Sequence, residues 1–237
     1  MAPKLKLSVI VPVGPGDRAW PGLLRDLHAL EGDAEILLVT PIGARPCDFQ
    51  PREYGLRVPA RWLESPVGRG VQQNAGAAAA RGEMLWFLHA DSRLPTETVA
   101  TAMGFRRRAA LGYFRLGYLE DGPKAARLNA LGAGLRSRWL GLPFGDQGFM
   151  LERATFAQLG GFDASLSGGE DHALVWLARR RGVTLVDLGA PVYSSARRYR
   201  EHGWVRTTLR HAGLTVTQAV RFHAAARRHD AIGKSGT

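Results

Sequence analysis

Cysteine is nearly absent: Cys47 is the single one in 237 residues. One thiol excludes an internal disulfide framework and any cysteine-based zinc centre, and it fits a reducing compartment. Long apolar runs are also missing. Nowhere do roughly 18 apolar residues follow one another, so no segment reads as a membrane-spanning helix. The N-terminal run from Leu7 to Val13 is only seven residues long. That is too short for the apolar region and cleavage site of a signal peptide, so it reads as a first strand. No Pro/Ser/Gly-rich linker divides the chain, which points to one domain over 1–226. Acidic residues are scarce towards the C-terminus. Residues 177–237 hold 12 Lys+Arg against 3 Asp+Glu, whereas 1–176 hold 20 against 18. Most of the formal charge of +11 therefore sits in the last quarter. Such a quarter suits anionic lipid, nucleic acid or a phosphorylated ligand, and a solvated arginine-rich surface explains it equally. Aromatics there are few and no nucleic-acid motif is present, so no nucleic-acid partner is expected.

What is present is a globular composition, 45% hydrophobic and 22% charged, consistent with a sizeable core. Apolar strands are expected at 4–13, 34–40, 84–90 and 183–189, with a weaker one at 56–64 that contains Pro59. Helical spacing is expected at 20–30, 96–110, 123–141, 168–182 and 202–223, and in the Gly-opened, Ala-rich stretch 68–82. The segment 111–121 alternates and suits an antiparallel or edge strand, 144–153 a short strand, and 154–162 a helix ending on Gly-Gly. Residues 227–237 read as a frayed tail. Strands that are apolar throughout and alternate with helices predict an α/β fold: a mostly parallel central sheet flanked by helices, Rossmann-like over 1–110, with a smaller mixed part over 111–226. Ligands of such sheets bind beyond the carboxyl ends of the strands.

Four short stretches carry candidate chemistry. The strand MLWFL runs out into His89 and Asp91, two residues apart and so on one side of an extended chain. Imidazole plus carboxylate suits Mn²⁺ or Mg²⁺ with phosphate oxygens in the remaining positions. Asp91 and Ser92 equally suit the cap of the following helix. In GRGVQQN, Arg69 stands at a helix start where backbone N–H groups and the dipole favour an anion, with Asn74 farther along the same helix. In GGEDH, Glu170 and Asp171 are favoured by the helix dipole whatever the function, and a carboxylate beside another has a raised pKa suited to a general base. In GDQG, Asp146 and Gln147 either bond a polyhydroxy ligand or close a turn.

Their order is more specific than any one of them. LSVIVPV, GRGVQQNAGAAAARGEMLWFLHADSRLP, GDQGFMLERATFAQLGGFD and GGEDHALVWLARRRG cover most of residues 5–190. Together they resemble the family 2 glycosyltransferases of the GT-A fold, and most of all the bacterial radical-SAM/selenodomain-associated transferase branch. The resemblance implies a single GT-A domain, with a nucleotide-sugar-binding half at 1–110 and an acceptor-side half at 111–226. It implies inverting transfer from a nucleotide-diphospho-sugar to an acceptor hydroxyl, with a divalent metal. Pro12, Arg69, Asn74, His89 and Asp91 fall at donor positions, with Asp91 and His89 on the metal. Asp171 falls where the family's base deprotonates the acceptor, with Glu170 beside it, and Asp146 and Gln147 lie on the acceptor side. Two departures stand out. Thr40 replaces the Asp that usually reads the base, and His89 replaces the first acid of the Asp-x-Asp motif.

A nucleotidyltransferase on a related fold is one alternative, but GPGD after the first strand offers only Arg18 to a phosphate. A nucleotide-sugar-binding protein without turnover is the other, favoured by Thr40 and His89. The expected location is cytoplasmic. In one reading the protein is peripheral at the inner membrane face, with Trp204, Leu209, Val216 and Val220 forming an apolar side of 202–223. The functional reading requires Asp91 and Asp171, far apart in sequence, to share one crevice.

Overall fold

The computed structural model describes residues 6–46, 49–210, 213 and 217. Cys47, Val216, Val220 and the expected tail at 227–237 lie outside the described residues. One seven-stranded sheet organises the chain, in the order β3-β2-β1-β4-β6-β5-β7. Its strands are β1 (Leu7–Pro12), β2 (Ala34–Pro41), β3 (Ala60–Ser65), β4 (Met84–Phe87), β5 (Ala110–Tyr118), β6 (Phe149–Glu152) and β7 (Thr184–Ser194). β3, β2, β1 and β4 are parallel, as are β5 and β7, while β6 runs antiparallel to both β4 and β5. The N-terminal and C-terminal halves therefore share a sheet through the β4–β6 pair.

β1, β2 and β4 are buried at every position because both faces of the sheet are covered there. Val9, Val11, Ile36, Leu38 and Trp86 join one core cluster. Their sequence neighbours Ile10, Leu37, Val39, Leu85 and Phe87 join the other. That split follows the two-residue side-chain period of a strand. The helices are α1 (Trp20–Asp26), α2 (Arg69–Ala79), α3 (Thr96–Gly104), α4 (Ala126–Trp139), α5 (Arg153–Leu159), α6 (Glu170–Arg180) and α7 (Arg197–His202).

Several expected boundaries move. Pro59 lies just before β3 rather than inside it. The 20–30 helix is α-helical only to Asp26 and closes with a 3₁₀ turn. The 96–110 helix stops at Gly104, and the chain re-enters the sheet through Ala109 in the left-handed region, φ 48°. The 144–153 strand splits into a 3₁₀ turn at Gly145–Gln147 and then β6. β5 is an internal strand, and β7 takes the edge. The edge accommodates Pro191, which cannot donate to a ladder on both sides.

α2 is fixed at both ends. Near its N-terminus the buried Gln72 amide donates to the carbonyls of Val13 and Val39, at 2.9 and 2.6 Å, where β1 and β2 finish. Past its C-terminus, buried Glu35 accepts from Ser8 Oγ at 2.8 Å and from the Arg81 backbone N–H at 2.7 Å. Between them Gly76 lies directly on the sheet. A Cβ there would stand 2.5 Å from Ile10 Cγ2 and 3.1 Å from Val39 Cγ2. Gly76→Ala is therefore expected to lower stability by about 1–3 kcal/mol through overpacking, despite alanine's better helix propensity. Urea unfolding with an unchanged slope measures it, and a neutral result would mean that α2 rides higher on the sheet.

Candidate active site

The carboxyl ends of β1, β2 and β4 open on one edge of the sheet, and the singled-out residues gather there. Pro12 is buried as the last residue of β1, in register with Val39. His89 and Asp91 follow β4. Arg69 begins α2, Asp146 lies in the 3₁₀ turn before β6, and Glu170 and Asp171 open α6. Arg69 reaches across to α6, where its Nε donates to Glu170 Oε1. Asp171 is tied to the turn: the Gly145 N–H donates to its Oδ2 at 2.7 Å, and the His172 N–H donates to its Oδ1 at 2.9 Å. His89 lies within the electrostatic reach of Arg69, Asp91, Asp146 and Asp171 together. Asp91 and Asp171 thus both act on one imidazole.

The acidic pair divides its labour. Glu170 is 2% exposed and ion-paired with Arg69. A buried, paired carboxylate is less open to an incoming ligand than Asp171 beside it. Its effect is to hold Arg69 across the crevice, while Asp171 remains partly exposed. Asn74 bridges to a loop, its Nδ2 donating to the Phe162 carbonyl at 2.8 Å and its Oδ1 accepting from the Phe162 N–H at 2.9 Å. Gln147 is buried; its Oε1 accepts from Ser137 Oγ at 2.8 Å and the Phe144 N–H at 3.0 Å, and its Nε2 donates to the Phe114 carbonyl at 3.0 Å. Both amides brace the walls of the crevice through these bonds. Thr40 is buried as well.

Arg136 and Tyr118 were missed in the sequence. The Arg136 guanidinium lies 3.5 Å from the centre of the Phe144 ring and faces Asp146 and Asp171. The Tyr118 hydroxyl meets that of Tyr199 at 3.2 Å, and burial together with Asp146 pushes its pKa up. Nothing local marks either residue. Arg136 is one of several arginines, and Tyr118 ends a strand.

Burial, reinforced by the Arg69 charge, pulls the His89 imidazole below its usual value against the three carboxylates. It is thus neutral at neutral pH, with a lone pair to offer. For Asp171 burial is the largest single influence and would raise the carboxyl. Arg69 and the N–H groups of Gly145 and His172 outweigh it and hold Asp171 below the usual carboxylate value. The raised value expected from two adjacent acids does not arise, because Glu170 is turned to Arg69. Asp146 shifts the other way: burial, then the charge of Asp171, raises it against His89 and Arg136. Its buried Oδ1 has no hydrogen-bond partner among the described residues.

Among the described residues no group of three or more His, Cys, Asp or Glu is placed to hold a metal ion. A closed protein cage is not what this donor set offers. His89 and Asp91 supply one nitrogen and one carboxylate, and the orphaned Asp146 oxygen adds a buried acceptor nearby. A hard divalent cation bound through one or two protein ligands takes its other oxygens from water and ligand phosphates. The residues fit a cation of that kind, shared with a bound diphosphate.

No protein-family model and no curated protein matches the chain. Solved structures do. Staphylococcus aureus TarS matches at 19% identity with a TM-score of 0.57, over 81% of this chain and 37% of that one. TarS residues 1–349 in complex with UDP-GlcNAc match at 17% identity with a TM-score of 0.58, over 81% and 58%. The mannosyltransferase PcManGT from Pyrobaculum calidifontis, in complex with GDP-Man and Mn²⁺, matches at 17% identity with a TM-score of 0.57, over 81% and 57%. The chain thus spans between about a third and three fifths of the length of these structures. At this identity the likeness is one of architecture, and the architecture is the GT-A glycosyltransferase fold.

Proposed function

We propose that this protein is a glycosyltransferase that moves a sugar from a nucleotide-diphospho-sugar to an acceptor hydroxyl, with inversion. The observation that carries the reading is the gathering of Arg69, His89, Asp91, Asp146 and Asp171 at the carboxyl edge of a GT-A sheet. Architecture supports the donor class, since solved neighbours hold UDP-GlcNAc, UDP, or GDP-Man with Mn²⁺.

Each residue has a physical task. Arg69, fixed by Glu170 at the start of α2, offers guanidinium N–H groups and a helix N-terminus to the diphosphate. Asp91 and neutral His89 would hold the divalent cation. Bound there, it would supply charge stabilisation to the departing diphosphate. Asp171, ionised and oriented by two backbone N–H groups, accepts the acceptor's proton as that oxygen attacks the anomeric carbon from the opposite face. Asp146 directs its unpaired oxygen at an acceptor hydroxyl, and Arg136 and Tyr118 line the same wall.

A thermal-shift screen of nucleoside diphosphates and their sugars, with and without Mn²⁺, tests the donor class, because a ligand of the native state raises the melting temperature. A Mn²⁺-dependent rise is expected for one base series. Asp91→Ala is expected to remove most of it. An unchanged shift in that variant, with and without chelator, would take Asp91 out of the cation site. A hit without transfer or hydrolysis across an acceptor panel would mark a binding protein.

A further inference from the structure

α4 is built inside out. Its buried residues are small or polar: Ala126, Ala133 and Ser137. Its large apolar residues point outward: Leu128 is 59% exposed, Leu131 66%, Leu135 60% and Trp139 80%. At 100° per residue these four fall within a narrow stripe of the helix surface, with Gly132 beside it on one flank and Arg127 and Arg138 on the other. Leu140 extends the stripe, at 60% exposed.

A second helical segment, 204–210, lies beside it. Trp204 Nε1 donates to Asn129 Oδ1 at 2.8 Å, and Asn129 Nδ2 donates to Thr208 Oγ1 at 3.0 Å. On that segment Val205 and Leu209, one turn apart, are also exposed, at 60% and 67%. Exposed apolar side chains in such number on neighbouring helical segments of a folded domain mark a contact surface. The charge on these helices is predominantly basic, with Arg127 paired to Glu120 at 2.7 Å. α4 carries three arginines and no acid, and 197–210 carries five arginines with Glu201 as the one acid.

We propose that this paired-helix face docks on an anionic lipid membrane. Leucines and a terminal tryptophan enter the acyl boundary while the arginines meet the headgroups. Charge selects this occupant. In a symmetric pair of chains the same patch would face itself, bringing two arginine-rich rims together. A nucleic acid would satisfy the arginines and leave the leucines in water. No helix among the described residues is long and apolar enough to cross a membrane, so the contact is peripheral. Arg136 leaves α4 about 95° round from that stripe and reaches towards the candidate active site, so docking sets the crevice near the bilayer. Docking does not rest on the transfer reading. Its corollary, that the acceptor hydroxyl is borne by a lipid, does.

The test is co-sedimentation of the full chain with phosphatidylcholine vesicles, with and without phosphatidylglycerol, at low and high salt. The wild-type chain is expected to pellet with the anionic vesicles and less at high salt. The double variant Leu131→Ser, Leu135→Ser, at two exposed positions that should leave folding intact, is expected to lose about tenfold or more in vesicle affinity. A matching melting temperature confirms its fold. Trp139→Ser is a second, independent variant with the same expected direction. Failure of the wild-type chain to pellet, or equal pelleting of the variants, overturns the proposal. So does a dimer in light scattering that the same substitutions dissociate without lipid. Pelleting without any donor turnover would uphold docking and count against the transfer reading alone.

Discussion

Asp171→Asn is expected to lower transfer by about 10²–10⁴-fold, while nucleoside diphosphate affinity stays within a few-fold of wild type. Asparagine keeps the size of the side chain and can still accept the 2.7 Å bond from the Gly145 N–H. What it cannot do is take a proton. The donor-side groups Arg69, His89 and Asp91 are untouched, so binding and turnover separate. Release of nucleoside diphosphate from the hit donor, followed with and without acceptor, measures the loss; retained turnover removes Asp171 from this role. The pH profile adds a check. Asp171 is held below the usual carboxylate value, net of burial, by Arg69 and two backbone N–H groups. Its ionised form therefore persists through mildly acidic conditions, and the acid limb of activity belongs below the ordinary carboxylate range. A rate already halved near neutral pH would point to another group.

Asp146→Asn is expected to stabilise the fold and impair its function. The carboxyl of Asp146 is raised, by burial foremost and also by Asp171, and its buried Oδ1 has no hydrogen-bond partner among the described residues. A carboxylate whose folded pKa lies above its unfolded value costs the native state stability as pH rises through that interval. Removing the charge is expected to recover about 1–3 kcal/mol, a rise of several degrees in melting temperature. The gain should shrink towards low pH, where the wild-type group is protonated. Asp171→Asn has the opposite sign. Its depressed carboxyl contributes stability above the unfolded value that is lost as pH falls, so the amide is expected to be less stable at neutral pH. Paired melting curves over pH decide both, and a destabilised Asp146→Asn would mean that the orphaned oxygen has a partner in solution. A site that trades stability for an unpaired, aimed carboxylate is the usual signature of function.

Most of the sheet was legible because its signals are local. Strands such as 7–12 and 34–41 are mostly apolar and buried at every position, and that pattern survives only between two covered faces. The boundaries that moved lie where tertiary contacts override propensity. Pro191 continues into β7 because that strand is an edge, and 96–104 ends early because the chain must turn into β5. The residues that reach the site were also legible as end-of-strand and start-of-helix chemistry. Their partners were not.

Thus periodicity alone was enough for an α/β sheet open at its carboxyl edge and for a short roster of acids and an arginine along it. Packing chose among them. Glu170 and Asp171 are neighbours on one helix start, and which of them stays open is set by Arg69, 101 residues away. Asn74 and Gln147 are bonded to the Phe162 backbone and to Ser137, partners that no local pattern announces. α4 looked like an ordinary helix until its small side faced inward and its leucines faced out. A linear pattern carries the tendency of each residue to be buried or charged. Which hydrogen bonds and ion pairs each side chain forms depends on groups that only the folded chain brings within reach.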